Sequence, residues 1–302
     1  MKRVIVTGAG GCIGNFCVPL LLEKRYEVHG FSRNASRESQ GVLWHKINLL
    51  EESPERLMSQ VKPTHLLHLA WVTEHGKFWE SSENSRWVDA SMALIESFYR
   101  NGGHRVVSSG TCAEYEWGSA ICIEGETPDV PRTKYGRSKK EFSDRALEFS
   151  KETSLSSASG RIFYPYGPGE PITRLLPHVI ISLLKGESPA CTDCSQVRDF
   201  IYMGDVASAL VHLLDSEVTG VVNIATGVAR KISEVLDQVR IQSKCQQPIH
   251  FGALSRGDGD PDFLTASTKR LNDEVGWQPI TTLDEGVGLT IDWIRSILGP
   301  HT

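Results

Sequence analysis

Tyr135 and Lys139 stand four residues apart in Tyr135-Gly136-Arg137-Ser138-Lys139. On a helix that spacing puts a phenol and an ammonium on one face. A neighbouring cation favours phenolate and lowers a tyrosine pKa from its reference of about 10. Such a tyrosine can give or take a proton near neutral pH. A YxxxK motif arises often by chance, so its position carries the weight. About 120 residues separate it from a glycine-rich turn near the N-terminus, and the strand-like run 105–109 precedes it.

The turn reads Thr7-Gly8-Ala9-Gly10-Gly11-Cys12-Ile13-Gly14. Gly8 suits a tight turn, Gly11 lets backbone approach a pyrophosphate, and Gly14 lets a helix pack close to a sheet. The helix that follows offers free N–H groups and a partial positive charge to an anion. A glycine pattern between a strand and a helix is a much stronger signal than glycines alone. The end of the second strand then sets the cofactor. Phe31-Ser32-Arg33-Asn34 carries no acid to bond the ribose hydroxyls; Ser32 does not repel a 2′-phosphate, and Arg33 can pair with one. NADP(H) is expected ahead of NAD(H).

These residues need a scaffold, and the chain alternates strand and helix periods. Strands are predicted over 3–7, 27–32, 65–70, 105–109 and 156–163, with helices over 12–24, 87–99 and 135–149 between them. Pro19 inside the first helix predicts a bend or an altered start. Repeated alternation means right-handed crossovers and a parallel sheet with helices on both faces. The expected fold is α/β, a Rossmann-type doubly wound parallel sheet with a smaller C-terminal substrate-binding lobe. Residues 1–163 form the cofactor half, with returning segments at about 200–228; residues 164–302 are mostly the lobe. After residue 163 prolines cluster, and the tail from 230 predicts short helices and loops.

A formal net charge of −5 argues against general affinity for polyanions, so nucleic acid is not an expected partner. Only four residues, Val4 to Thr7, follow Met1-Lys2-Arg3 before the glycines, so an export signal is not expected there, and no apolar run is long enough to span a bilayer. Seven irregularly spaced cysteines do not form a disulfide framework and suit a reducing cytosol. Cys191 and Cys194 form a CxxC without a second ligand pair, so they are expected as two loop thiols rather than zinc ligands. His65 and His68 are three apart on a strand and point to opposite faces, which argues against a shared metal; no metal site is expected.

The strand Val106-Val107-Ser108-Ser109-Gly110-Thr111, followed by Cys112-Ala113-Glu114-Tyr115, resembles the extended short-chain dehydrogenase/reductases of the NAD-dependent epimerase/dehydratase family. The glycine spacing GxxGxxG is of the short-chain dehydrogenase type. Further matches follow in family order: Arg161-Ile162-Phe163 with Tyr166-Gly167-Pro168, then Arg198-Asp199-Phe200-Ile201-Tyr202 with Asp205, Asn223-Ile224-Ala225, and Gly276-Trp277-Gln278-Pro279. The resemblance implies a nucleotide-sugar substrate. It implies that Thr111 bonds the reacting sugar oxygen, that Tyr135 exchanges a proton with it, and that Lys139 bonds the nicotinamide ribose. It places Cys12 and Ile13, Asn48 and Leu49, Leu69, Ala70 and Trp71, and Phe163 along the cofactor. It implies that Arg198 and Arg256 hold the diphosphate of the substrate, and that Tyr164 faces the sugar. It also implies a homodimer through the two long helices.

Departures from the family narrow the reaction. Cys112-Ala113 stand where the dehydratases carry Asp-Glu, so the acid–base pair for water elimination is missing. Cys112 is expected to pack rather than react, and Glu114 to be a solvated loop residue. Trp87 replaces a family asparagine, Tyr164 another, and Trp71 an alanine; Trp71 and Trp117 are expected as packing. The expected function is NADPH-dependent reduction of a nucleotide-activated 4-keto deoxysugar. A nucleotide-sugar 4-epimerase is the alternative, and a non-catalytic NADP(H) sensor a third reading, disfavoured because both Tyr135 and Lys139 are kept.

Overall fold

Seven parallel strands run through the centre of the computed structural model, which describes residues 2–33, 41–118, 121–257 and 259–299. Asn34, named in the motif above, lies outside the described residues. The first six strands are β1 (Arg3–Thr7), β2 (Glu27–Ser32), β3 (Val42–Lys46), β4 (His65–His68), β5 (Arg105–Thr111) and β6 (Ser156–Ile162). The later strands β7 (Tyr164–Tyr166), β8 (Val197–Arg198) and β9 (Phe200–Tyr202) are short. β10 (Gly220–Ile224) returns to the main sheet beside β6, and β11 (Arg230–Lys231) and β12 (Phe263–Leu264) flank β8. The sheet order is β10-β6-β5-β4-β1-β2-β3. The order reverses between β1 and β4, and ligands of such sheets bind outside the carboxyl ends at that switch point. Register aligns those ends: Thr7 pairs with His68, and His68 with Ser108.

Alternation builds the two faces of the sheet. Val4 and Val6 point into a core with Cys17 and Leu21 of helix α1 (Cys12–Glu23). Ile5 points to the opposite core, with Met58 of α2 (Glu55–Val61), Ile95 of α3 (Glu83–Arg100) and Phe142 of α4 (Lys134–Glu152). Each such side chain contributes about 1.5–3 kcal/mol on burial. Helix α5 (Leu175–Leu184) belongs to a separate core, whereas α6 (Met203–Asp215) packs beside α1 under the sheet. The separate core also takes α7 (Ile232–Ser243) and, beyond α8 (Lys269–Asp273), α9 (Leu283–Leu298).

Four local expectations change. α1 starts at Cys12 and runs through Pro19 to Glu23, so the proline does not move its start; burial of Cys17, Val18 and Leu21 outweighs the missing N–H. β3 and α2 are elements the periodicity did not reveal, since each is 7 residues or fewer. Of the tail helices only α8, with 5 residues, is short: α9 has 16 residues and a capping box, in which Thr282 Oγ1 accepts from Glu285 N at 3.2 Å and the Glu285 carboxylate accepts from Thr282 N at 2.9 Å. Cys191 and Cys194 lie outside helices and strands but are buried free thiols in the α5–α7–α9 core. No helix among the described residues is long and apolar enough to cross a membrane.

Candidate active site

The glycine turn is a backbone cradle. Gly8 has φ +68°, and a Cβ there would lie 3.0 Å from Ala70 N. A Cβ on Gly14 would meet Gly8 O at 2.2 Å. Gly11 N–H donates to Gly8 O at 2.8 Å, and Gly11 caps α1 with no side-chain bond. The first turn of α1 carries no acid. Close backbone packing, free N–H groups and no opposing charge fit the diphosphate of a nicotinamide dinucleotide. Gly8, Gly11, Gly14, Cys12 and Ile13 would hold it, and it would supply or accept the hydride. Thr7 Oγ1 ties the β1 and β4 ends together, accepting from Leu69 N and Ala70 N at 3.1 Å and bonding His68 Nδ1 at 2.7 Å. His68 also bonds Ser91 at 2.8 Å, and burial pulls its pKa down to about 3, so the ring is neutral.

Thr111 closes β5, and Tyr135 opens α4, whose N-cap Thr133 accepts from Gly136 N at 3.0 Å. Burial pushes the Tyr135 phenol well up, against a lowering influence of the Thr111 side chain. Lys139 Nζ donates to Ser109 O at 2.8 Å and lies 4.1 Å from the centroid of the Trp71 ring. Burial lowers its pKa, against the raising field of Glu114. The expectation that Lys139 depresses Tyr135 is therefore corrected. The ammonium is drawn to Ser109 and Trp71, and the buried phenol stays protonated.

Glu114 is corrected too. It is fully buried, not solvated: Arg161 Nε donates to it at 2.8 Å and Thr111 N at 2.7 Å. Arg161 also forms a fork with Asp129 at 2.6 and 2.8 Å. Glu114 thus braces the strand end that carries Thr111. Cys112, expected to point away, lines the cleft, while burial raises its thiol to about 12 and keeps it a thiol.

A cleft of about 980 Å³ crosses the carboxyl ends of the strands. Thr111, Tyr135 and Lys139 line it together with the glycine turn. Ser32 and Arg33 line its far end, Arg33 exposed, with Asn48 and Leu49 nearby. Leu69, Ala70, Trp71, Phe163 and Tyr164 line it as well. Trp117 is a half-buried part of its wall, whereas Trp71 is buried. Arg198 and Arg256 are not among the lining residues. Arg198 is buried behind Tyr164, its guanidinium 5.1 Å from that ring and 2.6 Å from Asp260 Oδ1. Arg256 pairs with Asp262 at 2.8 Å and donates to Asp260 O at 3.0 Å. Carboxylates of the 260–262 segment pair with both arginines, so neither guanidinium lines the cleft in this geometry.

Sequence reasoning missed Phe78, Trp79 and Arg174, which also line the cleft. Phe78 meets Tyr135 edge-on at 4.9 Å, and Trp79 does so at 5.7 Å. Phe78 and Trp79 open a single 3-10 turn (Phe78–Glu80), too short for any periodicity to mark it; two adjacent large aromatics after β4 were the available signal.

This constellation matches a known group. The family model described as "NAD dependent epimerase/dehydratase family" matches residues 4–225, and the chain belongs to that family. Its members among the similar proteins act on nucleotide sugars. The UDP-glucose 4-epimerase of Rhizobium meliloti is 24% identical over 92% of each chain. The dTDP-4-dehydro-6-deoxyglucose reductase of Escherichia coli is 25% identical over 97% of each. The solved structure of MoeE5 with UDP-glucuronic acid and NAD superposes at a TM-score of 0.87 with 26% identity, covering 98% of this chain and 100% of that one.

Proposed function

We propose that this protein reduces the 4-keto group of a nucleotide-activated sugar with NADPH, Tyr135 giving the proton. The observation that carries this reading is the meeting of Thr111, Tyr135 and Lys139 beside a glycine cradle in one cleft. A protonated Tyr135 suits the reductive direction, because a donor must hold its proton until the sugar oxygen becomes an alkoxide. Thr111 steers that oxygen toward the phenol. Lys139 adds positive charge near the oxygen that develops negative charge. Phe78, Trp79 and Trp117 form an aromatic wall that excludes water around the phenol and offers faces for a sugar ring. The buried indole N–H groups of Trp87 and Trp117 lack partners within the protein, and an oxygen-rich ligand can satisfy them. Ser32 and Arg33 at the end of β2 support NADP(H) over NAD(H).

A second reading is 4-epimerisation with retained NAD. It is favoured by the 4-epimerase and NAD-bound relatives above. Cofactor titration separates the two. Reduction expects tighter NADPH than NADH binding, lost in Arg33→Ala, and net NADPH consumption with a nucleotide 4-keto-6-deoxysugar. Co-purifying NAD, with interconversion of UDP-sugars and no net NADPH use, would replace it with the epimerase. The same reading includes a homodimer through α3 and α4, which sedimentation of the purified protein tests.

A further inference from the structure

Lys139 is a buried ammonium, and its hydrogen bonds go to the carbonyl and hydroxyl of Ser109. A buried cation needs compensation. The groups that act on it are Glu114 after β5, His68 on β4 and Trp71 after β4. His68 is neutral, and Glu114 is engaged by Arg161 and Thr111. Beside the Ser109 carbonyl at 2.8 Å, that leaves the indole face of Trp71, 4.1 Å from Nζ, as the next source of negative potential; tryptophan offers the strongest such face.

The indole is held in place. Trp71 Nε1 donates to Asn84 Oδ1 at 2.8 Å, and the ring stacks on Trp87 with centroids 6.0 Å apart. Asn84 is fully buried and turns its amide to the carbonyls of Phe78 at 2.7 Å and Ser81 at 3.1 Å. That turn (Phe78–Glu80) carries the ring that meets Tyr135, and Glu80 Oε1 accepts from Lys134 N at the start of α4 at 3.1 Å. One asparagine therefore fixes both the ring against the ammonium and the turn against the phenol.

We infer that Trp71 is a positioning residue, set by Asn84, whose indole face holds the Lys139 ammonium beside Ser109 and within the Tyr135 site. The inference rests on the reading of Tyr135 and Lys139 as the reacting pair.

The test is the titration of Lys139 in the full chain, read by competitive acetylation and mass spectrometry of its peptide from mildly acidic to alkaline pH. Fluorinated tryptophan keeps the ring shape but weakens its negative face. Fluorinated protein should show the Lys139 titration moved down by about one pH unit at most, and by a readable fraction of one. Fluorination in a Trp71→Phe background should leave it unmoved. Trp71→Leu should lower it further than Trp71→Phe, and the alkaline limb of turnover should move with it. An unchanged Lys139 titration on fluorination, or a shift that persists in the Trp71→Phe background, overturns the inference, whether or not Trp71→Leu folds. Turnover that survives Tyr135→Phe would instead overturn the catalytic reading itself, so the two failures are distinguishable.

Discussion

The two walls of the cleft are built differently. The sheet side is backbone: glycines with no room for a Cβ, strand ends aligned by register, and a helix N-terminus without a side-chain cap. The lobe side is side chain: Tyr164 and Arg174 line it, and Arg198 and Arg256 stand outside the lining, each tied to acids of the 256–262 segment. A backbone cradle is ready before a ligand arrives. A guanidinium held by its own protein's carboxylate has to exchange that partner before it can take a phosphate.

The largest effect is expected where side-chain pairing is buried. Arg161→Met leaves Glu114 buried and unpaired and should cost about 3–5 kcal/mol in urea denaturation. A loss under about 1 kcal/mol would mean that the brace behind Thr111 is dispensable. Gly14→Ala comes next. Its Cβ would strike Gly8 O, so stability should fall by about 1–3 kcal/mol and dinucleotide affinity by at least about tenfold. Calorimetric titration showing full affinity would remove the cradle from the account.

Lys139→Met should have the opposite sign on stability. It removes a buried charge, so turnover is lost while stability rises by about 1–2 kcal/mol. The pH dependence follows from the lowered folded pKa. Between that value and the ordinary 10.5 the unfolded chain binds more protons, so the Lys139 contribution makes stability increase with pH in that window. The increase should vanish in Lys139→Met. Arg256→Ala should have the smallest effect: no measurable change in Tm, because its pair is exposed. A large rise in KM for the nucleotide sugar in that variant would show that the arginine leaves Asp262 for the substrate.

The same contrast explains what was legible in the sequence. Gly8, Gly11 and Gly14 were readable because the backbone leaves no alternative at those positions. Tyr135 and Lys139 were readable because helical spacing is local. Glu114 was not, because its partner Arg161 lies 47 residues away on β6. Arg198 looked open for the same reason, since Asp260 lies 62 residues away; Arg256 pairs locally with Asp262, six residues on, but a loop has no period that shows it. Cys112 and the Phe78–Trp79 turn were missed because a chain path through a loop sets their direction, not a period. The depression of Tyr135 by Lys139 was inferred from spacing alone, and spacing does not show that Ser109 and Trp71 hold the ammonium.

The most direct measurement is turnover of a nucleotide 4-keto-6-deoxysugar by Tyr135→Phe, with cofactor affinity measured on the same sample. A proton given by that phenol expects a fall of about 10²–10⁴-fold with affinity for the dinucleotide unchanged. Turnover near the wild-type rate would contradict it.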